Sequence, residues 1–137
     1  MREILFLFLL ISGLTVSSQD DIHNIDRRCQ KCMSLDSNYT VSAMIRCVNK
    51  AQEEWDLKIK KFYKTLKDTL SHESAELLIT SQHSWLNFMD KQSVFFSSYF
   101  HNDMKGGYHL ERNEQLMILS RERALALKRL YSDFIEQ

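Results

Sequence analysis

No proline interrupts this chain, and of its three glycines only the adjacent pair Gly106-Gly107 lies beyond the opening residues. Proline cannot continue a helix and glycine weakens one, so a chain this poor in both has few places to break. Its apolar residues repeat accordingly. Between Thr40 and Leu70 they fall at Met44, Val48, Ala51, Trp55, Ile59, Phe62, Leu66 and Leu70, in steps of three and four residues. That is the helical period, and Thr40 or Ser42 can cap its start. A second segment, from about Ser74 to Phe100, carries Ala75, Leu78, Gln82, Trp85, Met89, Gln92, Phe96 and Tyr99 on one stripe. A third, from about Leu110 to Glu136, presents Leu116, Leu119, Arg123, Leu127, Leu130 and Phe134. Ser71-His72-Glu73-Ser74 supplies the first turn, and a loop from His101 to Tyr108 the second. No stretch alternates with period two. Connections this short make neighbours antiparallel, so the pattern predicts an all-α, up-down-up bundle of three long helices, with a cysteine-bearing N-terminal segment across one end.

The first residues predict export. Met1-Arg2-Glu3 precede an uncharged run from Ile4 to Ile11, and small residues Val16 and Ser18 stand where a signal peptidase reads before Gln19. Residues 1–18 are therefore expected to be a signal peptide and residues 19–137 a single domain. The run is too short to span a membrane, and no cysteine sits at the cleavage site for a lipid anchor. Eighteen basic and eighteen acidic residues give a formal net charge of zero, which argues against a nucleic-acid binder. Cysteines stand at 29, 32 and 47; in an oxidising compartment two of them should pair and one is left over. Cys29-x-x-Cys32 has redox spacing, but such motifs usually open a helix in an α/β fold, which this pattern does not resemble.

Leu78-x-x-x-Gln82-x-x-Trp85-x-x-Phe88-x-Asp90 resembles the signature of the LprI-type family, small bacterial envelope proteins named after a lysozyme inhibitor. The resemblance extends to Ile59-x-x-x-Tyr63-x-x-Leu66 and to Leu119-x-x-x-Arg123-x-x-x-Leu127. It also takes in Thr40-x-x-x-Met44-x-x-Cys47 with a cysteine upstream, so it covers about Cys32 to Leu130. It implies a helical fold and a protein that binds, and inhibits, a lysozyme-like muramidase. Together with the placement of Cys32 before the first helix and Cys47 near its start, it implies a Cys32–Cys47 disulfide. Cys29 is then a free thiol or an intermolecular bridge. Three departures stand out: Met89 replaces a common arginine, and Ser93 and Gln115 replace the two cysteines of a second disulfide.

Two groups of residues invite a functional reading. Tyr63, Gln82, Trp85, Asp90 and Arg123 form a polar cluster in or beside the core. Either Arg123 pairs with Asp90 while Gln82 satisfies Tyr63 or a backbone group, or Trp85 and Tyr63 line a ligand pocket; core-facing spacing favours the first. Phe95, Phe96, Tyr99 and Phe100 are more aromatic residues than one stripe needs, since consecutive helical residues point about 100° apart. Either Phe95, Tyr99, Phe100, Gly106, Gly107 and Tyr108 form a partner surface, or the third helix or the N-terminal segment covers this helix end. Lys58, Lys60, Lys61, Lys64 and Lys67 form a basic flank, with Glu53, Glu54, Asp56 and Asp68 nearby.

No catalytic constellation, phosphate loop or metal motif is visible, so the expectation is a non-enzyme without cofactor or metal. The leading functional reading is a secreted or periplasmic muramidase inhibitor. The alternative is an interaction module for another envelope protein, using the same aromatic surface.

Overall fold

The computed structural model describes residues 18–103 and 108–135, and in helix α1 side chains only from Asn24 onward. The expected signal peptide, but for Ser18, lies outside the described residues, as does the Gly106-Gly107 pair. Four helices follow in order: α1 (Ser18–Met33), α2 (Val41–Thr69), α3 (His72–Asp103) and α4 (Tyr108–Ile135), with a short 3-10 turn at Asp36–Asn38. Among the described residues the all-α expectation is met, but the helices number four rather than three. The N-terminal segment is a full helix. Ile25, Cys29 and Met33 recur at helical spacing, and Ile25 and Cys29 are buried against α2. Cys32 therefore stands in the last turn of a helix, and that helix runs along α2 instead of crossing one end.

The α1–α2 pair is an antiparallel hairpin. Its rungs run in opposite order along the two helices: Cys32 is disulfide-bonded to Cys47, Arg28 pairs with Glu54, and Trp55 Nε1 donates to Asp26 Oδ1 at 3.2 Å. Asn38 of the connecting turn donates to the Cys32 carbonyl at 3.0 Å. Asp26 also reaches α4, where Arg121 Nε lies 3.1 Å from its second oxygen. One carboxylate thus joins three helices, and it does so over the indole of Trp55, the largest fully buried side chain.

Thr40 caps α2, its hydroxyl accepting from the Ala43 N–H at 3.2 Å, and Leu70 ends it in extended backbone. Ser71 then caps α3, accepting from the Ser74 N–H at 3.3 Å. The core is the seam between α2 and α4. Val48, Ala51, Trp55, Ile59, Phe62 and Leu66 meet Ala124 and Leu127, and Ser120 of the same helix is fully buried. Ser120 and Ala124 are small, and burying two short side chains in one row of α4 lets the helix backbones come close. The expected α4 stripe is corrected here. Leu130 and Phe134 are exposed, while Ser120 and Ala124, which hydrophobicity alone does not pick out, sit at the centre.

Helix α3 packs differently. It lies chiefly against α4 and touches α2 at few points. Its inward stripe (Leu78, Trp85, Met89, Phe96) is only half-buried, with Gln82 and Phe100 the two buried positions. Two arginines of α4 hold it. Arg123 donates to Gln82 Oε1 from Nε at 3.1 Å and Nη2 at 2.9 Å. Arg112 donates to Ser97 Oγ at 2.7 Å and Ser93 Oγ at 2.6 Å. Ser93 is one of the two positions where the family's second disulfide is expected, so a guanidinium fork ties α3 to α4 at the place of that bridge.

Candidate functional site

The looseness of α3 against α2 leaves an open cleft of about 510 Å3. Its α2 wall is Gln52, Asp56, Ile59, Lys60 and Tyr63; its α3 wall is Gln82, Trp85, Leu86 and Met89; Ser120 of α4 forms the floor. Most of the surface facing this cleft is apolar. Ser120 is 0% exposed, and its hydroxyl has no hydrogen-bond partner. It lies beside the Asp56 carboxyl and favours its ionised form, though without hydrogen-bond geometry. Burial nevertheless dominates and pushes the Asp56 pKa up, with Glu53 adding to the rise. The side chain itself stands exposed at the lip of the cleft.

The expected polar cluster is partly assembled here, with different partners. Gln82, Trp85 and Tyr63 do meet at the cleft, and Arg123 lies behind Trp85 with its guanidinium 6.0 Å from the ring centroid. Arg123 takes Gln82 as its acceptor, not Asp90, which is exposed on the flank of α3. Gln82 therefore serves Arg123 in place of Tyr63. The physical reason is helical phase. Asp90 is eight residues beyond Gln82, about 80° round the helix from it, on the solvent side. Leu66 belongs to the core, Leu78 packs on its edge, and Phe88 is exposed. Trp85 and Tyr63 both line the cleft, beside a cluster whose pairs differ from those expected.

The second surface is the outer face of α3. Leu77, Phe88 and Phe95 are exposed there, while the exposed Leu86 and Val94 lie on other sides of the helix, Leu86 in the wall of the cleft. A helix with apolar residues all round is normally covered on more than one side. At its C-terminal end the aromatic residues divide. Phe95 and Tyr99 are 55% and 44% exposed and stack with centroids 5.8 Å apart. Phe100, expected on the partner surface, is only 7% exposed and is corrected to the core, with Tyr99 edge-on to it at 5.1 Å. Phe100 is a full turn past Phe96 on the side facing α4, so it closes the core rather than the surface. Tyr108 opens α4.

The Cys32–Cys47 bridge is formed, its Cα atoms 5.8 Å apart. Cys29 is free and buried, donating weakly to the Cys47 carbonyl at 3.7 Å. Burial raises its pKa first, and the nearby carboxylates Asp26, Glu114 and Glu54 raise it further. A thiol so placed favours the protonated form and is shielded, both of which slow its reaction in the folded state. Among the described residues no group of three or more His, Cys, Asp or Glu converges as a metal site. Among them also no helix is long and apolar enough to cross a membrane.

These features define a small helical domain stapled by one disulfide, with a weakly docked third helix and an apolar outer face. The family described as lysozyme inhibitor LprI matches residues 32–127, and the chain belongs to that family. The fold is similar to that of an uncharacterised protein from Burkholderia thailandensis, with a TM-score of 0.72 at 20% identity. The similarity covers 82% of this chain but 55% of that one, so this chain spans about half the length of its structural relative. No curated protein sequence matches the chain.

Proposed function

We propose that this protein is exported by the leader at residues 1–18 and that the single domain at residues 19–137 binds a lysozyme-like muramidase and blocks it. Membership of a family described as lysozyme inhibitors supports the activity, and the exposed apolar face of α3 supports the contact. Phe95 and Tyr99 are the anchors. They are large, stacked on one another, and lose little freedom when covered, which is the profile of residues that dominate binding energy. Blocking requires no chemistry of the inhibitor. The aromatic side chains Phe95 and Tyr99 on α3 occupy the groove where the polysaccharide would lie.

The zero net charge shapes the kinetics of this contact. Without an excess of acidic residues there is little long-range attraction to a basic enzyme, so association runs near the unsteered range and depends weakly on salt. The test is an inhibition titration of muramidases of several classes with the oxidised, exported protein, beside Phe95→Ser/Tyr99→Ser. Stoichiometric inhibition by the wild type, lost in the double variant while far-UV dichroism is unchanged, carries the proposal. Absence of inhibition in every class overturns the activity; inhibition that survives the double substitution overturns the surface.

A further inference from the structure

The cleft between α2 and α3 is not needed for that contact, and its chemistry points to a different ligand. We propose that it is a binding site for a small amphiphilic amine, an aromatic or aliphatic body carrying one protonated amino group. The volume, about 510 Å3, is within the range of clefts that hold small molecules, which run from about 300 to 1,000 Å3. Ile59, Leu86 and Met89 supply apolar walls for the body, and Trp85 and Tyr63 supply ring faces.

The polar end is what selects an amine. Asp56 offers a carboxylate with no basic partner among the described residues. Ser120 offers a hydroxyl that is 0% exposed and unpartnered, lining the same cleft from the floor. A buried hydroxyl without a partner is rare and calls for an explanation, and a ligand donor that meets it and Asp56 together provides one. An ammonium group has three N–H bonds and no acceptor, so it matches a carboxylate, a hydroxyl oxygen and an aromatic face at once. Both rings already meet cationic side chains: Arg123 of α4 lies over Trp85, and Lys67 of α2 lies 5.9 Å from the centroid of the Tyr63 ring. Lys60, the one cation of the lining, is exposed on the rim one turn from Asp56, where solvent and salt screen its charge. A carboxylic acid of the same skeleton would place its charge against Asp56 and is rejected.

The experiment compares three ligands of one skeleton at physiological salt: phenethylamine, phenethyl alcohol and hydrocinnamate. Binding is read from amide shifts of Ser120, Gln82 and Trp85 in nitrogen-edited NMR spectra and from the change in tryptophan emission. Phenethylamine should give saturable shifts confined to the cleft, with hydrocinnamate about tenfold weaker or more, because attraction becomes repulsion at Asp56. Asp56→Asn should weaken the amine by about tenfold while leaving the alcohol unchanged. Asp56 is exposed at the lip, so this variant is expected to fold, and far-UV dichroism checks it. Ser120→Ala should weaken both amine and alcohol severalfold. Equal binding of acid and amine, an unchanged affinity in Asp56→Asn, or no saturable shift with the amine overturns the proposal. Because Phe95 and Tyr99 lie outside the cleft, Phe95→Ser/Tyr99→Ser should bind the amine as the wild type does, whatever the outcome with muramidase.

Discussion

Of the two arginine contacts by which α4 holds α3, the one at Arg123 is a side-chain pair whose strength can be worked out. Arg123 gives both Nε and Nη2 to the single oxygen Oε1 of Gln82, at 3.1 and 2.9 Å, and its remaining contact, Ser81 Oγ at 3.4 Å, is marginal. Hydrogen bonds to a charged group contribute about 1.5–3 kcal/mol. Two bonds sharing one acceptor do not double that, so about 2 kcal/mol is the figure for the pair. Gln82→Leu removes the acceptor and leaves a half-buried guanidinium; it should cost about 2 kcal/mol. Arg123→Met removes the donor and the stacking on Trp85, the latter about 0.5–1 kcal/mol, and should cost about 2.5 kcal/mol. Once either partner is gone the other has little left to lose. The double variant should therefore cost about 2.5–3 kcal/mol, well short of the sum, a coupling of about 1.5–2 kcal/mol. Urea unfolding of the four proteins, followed by far-UV dichroism, measures the cycle. Costs that add to within about 0.5 kcal/mol would refute the pairing as the tie between the helices.

Other consequences follow from the same structure. The Cys32–Cys47 bridge closes a separation of 15 residues. By loop entropy Cys32→Ala/Cys47→Ala should lose about 3 kcal/mol in urea, and a loss below about 1 kcal/mol would show that Asp26 and Ile25 hold α1 without it. Cys29 is buried with a raised pKa, so the oxidised native protein should react with a disulfide reagent only after unfolding; prompt reaction at neutral pH would place the thiol elsewhere. Asp56 and Glu114 are both raised, chiefly by burial, so the folded state holds their protons more tightly than the unfolded one. Stability then falls as pH rises from the ordinary carboxylate range, about 4, through the raised values. Asp56→Asn should raise the urea midpoint at neutral pH and lose that advantage in acid; a lower midpoint at neutral pH would contradict the sign.

Much of this was legible in the residues. Helices α2, α3 and α4 appear within a few residues of their observed ends, because long apolar periods and serine or threonine caps are local signals. The disulfide and the family followed from motif order. Helix α1 was missed although Ile25, Cys29 and Met33 carry the period, since so short a stripe among charged residues looks like a connecting segment. Partner choice was harder. Gln82 and Arg123 were picked out as members of a cluster, but the acceptor expected for Arg123 was Asp90, and a sequence gives the spacing of residues without the rotation of one helix against another.

The sequence by itself determined that the chain is helical, where three of its helices run, and which family it belongs to. These depend on neighbours within a few turns, and hydrophobic period, caps and the lack of breakers set them. The tertiary structure alone decided which small residues, Ser120 and Ala124, occupy the central seam, which of the clustered aromatics face water, and that α3 stands far enough from α2 to open a cleft. Those outcomes depend on how closely two helices approach and at what rotation, and that distance is set by packing of side chains remote in the chain.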